Sequence, residues 1–160
     1  MGLKFFNVFG PNEYHKGTMM SVLARRFDEI RAGSAVQLFK SHRDGIADGE
    51  QRRDFIYVDD VVRVVTWLLA TPSVSGLFNV GTGKARSFKD LITAAYAALG
   101  TRPNIAYVDM PEAIRGTYQY FTQAQVDRLR SAGYNSGFTA LDDAVALYVS
   151  GYLNAADRFR

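Results

Sequence analysis

Four short stretches of this sequence hold residues that could do chemistry. The first is Asn7-Val8-Phe9-Gly10-Pro11, followed by His15-Lys16-Gly17-Thr18. A strand end that leads through a loop to a helix N-terminus is where ligands sit in open α/β sheets. Backbone N–H groups and the helix dipole favour an anion there, and Lys16 lies just before that N-terminus. A lysine taken out of water near another cation can act as an acid/base, whereas one left in water is an ordinary surface charge. The second stretch is Arg52-Arg53-Asp54-Phe55-Ile56-Tyr57-Val58-Asp59-Asp60. Arginine grips phosphate oxygens in a two-pronged fork; the other reading is that Arg53 pairs with a neighbouring carboxylate. The third, Gly81-Thr82-Gly83-Lys84-Ala85-Arg86, has the outline of a dinucleotide fingerprint, but Arg86 stands where a third glycine is needed. As a P-loop it fails too, with Thr82 in the place of the phosphate-binding lysine. A plain strand-to-helix turn is the better reading. The fourth is Arg115-Gly116-Thr117-Tyr118-Gln119-Tyr120, whose aromatic side chains can stack on a base or a sugar, or simply fill a core.

These residues need elements to hold them. Leu3 to Val8 reads as a strand, ended by Gly10-Pro11. Asn12 to Gly17 is a polar loop, and Thr18 is placed to cap a helix that runs to about Ala32 and stops at Gly33. Ala35 to Lys40 is a strand and Ser41 to Arg52 a charged loop, long enough to suggest a functional role. Asp54 to Val58 is the next strand. Asp59 or Asp60 caps a helix to about Ala70. Leu77 to Val80 is a strand, and Ser87 with Asp90 forms a capping box for a helix ending at Gly100. Asn104 to Val108 is a strand, and Asp109 to Tyr120 is irregular. Thr122 with Gln125 suggests a further capping box, for a helix ending near Gly133. Thr139 and Asp142 open the last helix, to about Asn154. Alternating strands and helices predict an α/β fold with parallel pairing, in one structural unit. The opening strand needs sheet neighbours, and the strands that follow are too few to bury both faces of a doubly wound sheet. A further portion upstream is therefore expected.

Composition narrows the function classes. The chain has 160 residues, 48% of them hydrophobic and 22% charged, the balance of a globular domain with a real core. The net charge of +3 comes from scattered residues. Neither a basic run nor an RNA-binding motif is present, so no nucleic-acid partner is expected. With no cysteine and only His15 and His42 as imidazoles, thiolate sites and disulfides are excluded, and no metal site is expected. No h-region and no membrane-spanning apolar run occur, which suggests a cytoplasmic protein.

Together, and in this order, the motifs resemble the extended short-chain dehydrogenase/reductase family of sugar-nucleotide enzymes. "FFNVFGP", "RRDFIYVDDV" and "GLFNVGTG" carry that likeness. "NEYHKGTMMSV", "LFKSH", "GTYQYFTQA" and "LRSAGY" are narrower, and look like the ADP-L-glycero-D-manno-heptose 6-epimerases within it. The likeness covers essentially the whole chain, but only the later half of such an enzyme. It implies the C-terminal part of an extended Rossmann-like fold, with the smaller substrate-binding lobe and without the dinucleotide-binding portion. The implied reaction inverts C6 of an ADP-linked heptose for lipopolysaccharide core synthesis. In it, NADP takes a hydride to give a 6-keto sugar, and the hydride returns to the opposite face. A homo-oligomer is implied for the full-length enzyme.

By position, the resemblance makes Lys16 one of two acid/base groups, beside the cofactor. It puts Val8 on the nicotinamide side and Asn7 and Thr18 on the substrate. Phe39, Lys40, Ser41 and His42 would wrap the ADP, Arg53 would meet the pyrophosphate, and Tyr118 would close the site. Arg25 falls where some members carry a substrate-contacting histidine. The second acid/base of the family is the tyrosine of a Tyr-x-x-x-Lys motif, and none of the nine tyrosines here has a lysine four residues on. The isolated chain is therefore expected to be inactive. Two other readings stay open: an epimerase or dehydratase acting on a UDP- or dTDP-sugar, and a non-catalytic ADP-sugar-binding module.

Overall fold

A computed structural model describes all 160 residues. Its centre is the strand that opens the chain, which is broken into β1 (Gly2–Phe5) and β2 (Asn7–Phe9). β1 runs parallel to β6 (Leu77–Val80), and β2 runs parallel to β5 (Phe55–Tyr57). The change of neighbour happens between two consecutive residues. Phe6 N–H donates to Val80 O at 3.0 Å, and Asn7 N–H to Asp54 O at 3.1 Å. Successive N–H groups of a strand point opposite ways, so β5 and β6 flank the opening strand on its two edges.

β5 is buried along its whole length, and its alternating side chains feed two cores. Phe55 and Tyr57 join a cluster with Phe9, Leu23, Phe27 and Tyr148, whereas Ile56 joins Val64, Leu68, Phe78 and Val80. The sheet therefore separates the two cores, as the period of two requires. The larger core is closed by α1 (Val22–Arg31), α3 (Phe88–Ala98) and α6 (Leu141–Tyr148). The smaller is closed by α2 (Val58–Ala70) and α5 (Asp127–Ser131). β3 (Val36–Phe39) pairs in parallel with β8 (Ile105–Val108). Two short strands that the sequence does not announce, β4 (Arg52–Arg53) and β7 (Arg86–Ser87), pair antiparallel. A one-turn helix, α4 (Glu112–Arg115), lies in the irregular segment. On β1 and β6, Phe5 and Leu77 stay 48% and 60% exposed, so this end of the sheet lacks cover on one side.

Helix starts were the least legible feature. The Ser87–Asp90 capping box is present, with both reciprocal bonds made. Thr18, however, does not cap α1. Residues 14–19 form a 3-10 turn interrupted at Gly17, and Ser21 is the cap, its Oγ accepting from Ala24 N–H at 3.2 Å. Asp59 and Asp60 sit inside the first turn of α2 rather than at its cap. Thr122 bonds Gln119 instead of capping a helix, and α5 begins five residues later without a side-chain cap. Thr139 does not cap α6 either. Its N–H and hydroxyl both donate to the buried Asp60 carboxylate, at 2.8 and 2.9 Å. At Thr18 a backbone kink, and at Asp60 and Thr139 a tertiary hydrogen bond, outweighed a local capping preference worth about 1 kcal/mol.

Candidate active site

β2 and β5 end side by side, and a cleft of about 460 Å³ opens beyond them. Val8, Gly10, Lys16 and Asp59 line it, together with Arg160 of the chain's last residues. The carboxyl ends of parallel strands are the expected place for a ligand, and Val8 and Lys16 are the two residues that the resemblance set beside a cofactor. Lys16 itself is exposed, so this chain alone does not take it out of water.

The loop that carries Lys16 is held from below by Glu13. This carboxylate is 3% exposed and accepts from Ser21 N–H and Ser21 Oγ, both at 2.7 Å, and from the Tyr148 hydroxyl at 3.2 Å. Burial, reinforced by the Glu13 charge, pushes the Tyr148 hydroxyl far up, so it stays a donor. The helix cap, the Lys16 loop and α6 are thereby tied to one buried anion. Glu13→Ala should cost about 3 kcal/mol, because Tyr148 and Ser21 N–H lose a charged partner. Amide exchange in residues 14–20 should rise with it. Unchanged exchange there would show that the loop holds itself.

A second cavity, of about 170 Å³, lies between α1, the end of β3 and the irregular segment. Arg25, Phe39 and Tyr118 line it; the resemblance gave Phe39 to the ADP, Tyr118 to closing the site, and Arg25 to a position where some members contact the substrate. Phe39 and Tyr118 meet edge to face at 5.9 Å. Arg53 packs behind Tyr118, with its guanidinium 5.3 Å from that ring and 5.6 Å from the Phe88 ring. It is 9% exposed, and the only hydrogen bond of its side chain within the chain is to Arg52 O at 2.8 Å. No carboxylate pairs with it: the ion pairs of the chain all lie elsewhere. Burial lowers the Arg53 pKa from its usual value, and Tyr118 works against that shift. The Tyr118 hydroxyl is pushed up by burial and pulled down by Arg53. A buried cation without a partner is costly, and two aromatic faces offset only part of that cost.

The other expected site residues are more dispersed. Asn7 is exposed, and its backbone is part of the sheet. Thr18 is exposed, and its carbonyl accepts from Arg25. Lys40 pairs with Asp109 at 3.5 Å. Ser41 N–H donates to Asp48, and His42 N–H to the Tyr120 hydroxyl at 2.9 Å. None of these five lines either cavity.

Asp54 was missed as a functional residue. It is fully buried and accepts from Thr82 N–H (2.7 Å), Thr82 Oγ (2.6 Å), Gly83 N–H (2.9 Å) and Ala124 N–H (2.9 Å). The signal was an acid at the head of an apolar strand, which has to find partners once buried. Its bonds also decide what the glycine turn is. Thr82 and Gly83 spend their N–H groups on a protein carboxylate, so the turn cannot cradle a phosphate. The glycine turn is therefore no built site for a cofactor's phosphates. No cluster of three or more His, Cys, Asp or Glu side chains could hold a metal ion, and no helix is long and apolar enough to cross a membrane.

Residues 1–81 match the model of the NAD dependent epimerase/dehydratase family. Over 98% of its length the chain is 55% identical to an ADP-L-glycero-D-manno-heptose-6-epimerase of Nitratidesulfovibrio vulgaris, and covers 49% of that protein. The chain belongs to the NAD dependent epimerase/dehydratase family. A protein of the same name from Fusobacterium nucleatum is 44% identical over 99% of the chain, which again covers 49% of it. The chain thus spans about half the length of the curated relatives it matches. Among solved structures, the Helicobacter pylori ADP-L-glycero-D-manno-heptose-6-epimerase superposes with a TM-score of 0.77 at 27% identity, covering 96% of this chain and 44% of that one. The Thermus thermophilus UDP-glucose 4-epimerase, complexed with NAD, gives 0.71 at 25% identity, covering 96% and 46%. The fold is therefore the extended short-chain dehydrogenase, Rossmann-like one.

Proposed function

We propose that this chain is the substrate-binding portion of an ADP-heptose 6-epimerase. The observation that carries the reading is Arg53, a buried guanidinium with no anion of its own, set beside an aromatic-lined cavity at the end of β3. A pyrophosphate supplies the missing charge and matches the guanidinium fork. Phe39 and Tyr118 then flank the nucleoside. The likeness to relatives named for ADP-heptose, over nearly the whole chain, favours ADP over other nucleotides.

In the proposed reaction Val8 and Lys16 would lie beside a nicotinamide cofactor, NADP in our reading, which would supply hydride chemistry at C6 when bound. Lys16 stands at the mouth of the Val8 cleft and moves the proton of the C6 oxygen from one face. Glu13 holds the Lys16 loop in place for that step. The acid/base for the other face is not among this chain's Tyr-x-x-x-Lys candidates, since there are none, so turnover requires a second, dinucleotide-binding portion. The isolated chain should bind but not convert.

The test is thermal unfolding with and without ADP-mannose, which carries the ADP and a related sugar. Ligand at a hundred times its Kd should add about 2.7 kcal/mol of stability, visible as a higher Tm. UDP-glucose at the same concentration should add much less. Equal stabilisation by the two sugars would remove the ADP-specific reading, and no stabilisation by either would remove the binding site.

A further inference from the structure

Gln51 lies at the floor of the cavity that holds Phe39 and Tyr118, and it is 1% exposed. Its amide nitrogen donates to two backbone carbonyls at the end of β3, Phe39 O at 3.3 Å and Lys40 O at 3.2 Å. Both amide hydrogens are thereby used. The two carbonyls also fix which way round the amide sits, because the reversed side chain would set oxygen against oxygen. Oε1 is the atom left over. No hydrogen bond of the chain ends on it, and it stays open to the cavity, since the Tyr134 hydroxyl is the one side-chain polar atom that is both fully enclosed and unpaired. The side chain therefore offers the cavity one oriented acceptor that the fold has not used.

The rest of the lining is of a different kind. Val22, Leu38, Phe39, Phe88 and Tyr118 give the cavity apolar and aromatic walls, and Arg25 and Arg26 can only donate. Gln37 also lines it but is exposed, so its amide is free to turn. A flat heteroaromatic ring entering here meets stacking surface and one fixed acceptor on a strand-anchored side chain. That combination selects a ring with an N–H donor on its edge.

Resting on the proposed ADP-sugar site, we infer that Gln51 Oε1 is the base-reading group, and that it accepts from the exocyclic 6-amino group of adenine. A base without a donor there leaves Oε1 buried and unpaired, which is how a polar site rejects an analogue that lacks one group. Gln51 is thus a specificity-determining residue, set two positions before the arginine that meets the pyrophosphate. The same amide also fixes the Phe39–Lys40 carbonyls, so recognition of the base is coupled to the shape of the β3 end.

The probe pair is ADP and purine riboside 5′-diphosphate, which differ only by the 6-amino group. Titrated into the 160-residue chain, ADP should bind on the order of tenfold more tightly. In Gln51→Met, which keeps the bulk but has no oriented acceptor, the two Kd values should converge. The comparison on the unchanged chain needs no substitution, so it stands even if the variant folds poorly. Equal affinity of the two nucleotides for the unchanged chain overturns the inference and leaves the ADP site standing. A variant that weakens both equally, with the ratio kept, assigns Gln51 a purely structural role and also overturns it. Failure of the unchanged chain to bind either nucleotide overturns the site itself, and the inference with it.

Discussion

Arg53→Met should cost ADP-mannose affinity on the order of a hundredfold while leaving the free protein as stable as before, or more so. The first half follows from charge. Arg53 has no carboxylate in the chain and stacks on Tyr118 and Phe88, so a pyrophosphate would be its only full partner. Two charge-assisted hydrogen bonds to that anion are worth about 3 kcal/mol together, which is roughly a hundredfold. The second half follows from desolvation. Replacing a buried charge by an apolar side chain of similar length is often neutral or stabilising. The one hydrogen bond lost leaves no orphan, because Arg52 O also accepts from Thr122 N–H at 3.2 Å. Arg53→Lys keeps the charge but not the fork, and should fall between the two. Calorimetric titration and urea unfolding read the two halves separately. Affinity held within threefold in Arg53→Met would show that the anion binds elsewhere.

Asp54→Ala is the change expected to harm the fold most, by about 3–5 kcal/mol. It would strip the acceptor from the N–H groups of Thr82, Gly83 and Ala124 and from the Thr82 hydroxyl at once. Three parts of the chain meet at this carboxylate: β5, the turn after β6, and the segment that leads into α5. The Thr82 hydroxyl keeps a second acceptor in Lys84 O at 3.3 Å, but the surroundings are tight, since a Cβ on Gly81 would lie 2.9 Å from Asp54 Oδ2 and 2.5 Å from the Ala124 side chain. Urea unfolding measures the loss. A cost below about 1 kcal/mol would mean that water replaces the carboxylate, and that the turn is not held from within. Against a total stability of about 5–15 kcal/mol for an ordinary domain, the expected loss removes a large fraction. Nucleotide binding should fail alongside it, because Arg53 precedes Asp54 directly.

Much of the site was legible because its parts are local. Phe39 and Tyr118 sit in short motifs, a strand and an aromatic cluster, and line one cavity, with Arg53 of the entry arginine pair packed behind Tyr118. Val8 and Lys16 come together because one loop joins their elements. Asn7, Thr18, Lys40, Ser41 and His42 were named from the same motifs, yet they line neither cavity. Glu13, Gln51 and Asp54 were invisible as functional residues for the opposite reason. Nothing in a polar loop marks the one carboxylate that will be buried, and nothing around Gln51 marks an amide with its donors spent and its oxygen free. Those properties exist only after residues far apart in sequence have met.

By itself, the sequence determined the longer elements, their order and the family, but not the short strands β4 and β7 or the one-turn α4. Hydrophobic periodicity, glycine and proline breaks and the Ser87–Asp90 box act within a few residues, and their energies survive in any context. What only the tertiary structure decided were the meeting points. Glu13 reaches Ser21 and Tyr148, and α1 is capped by Ser21 and not by Thr18. Asp60 reaches Thr139, which is thereby lost as a cap. Asp54 takes the N–H groups of the glycine turn and so denies them to a phosphate. Each of these is a buried carboxylate that must find donors wherever the fold provides them. The cost of leaving such a group unpaired exceeds the local preferences that the sequence displays.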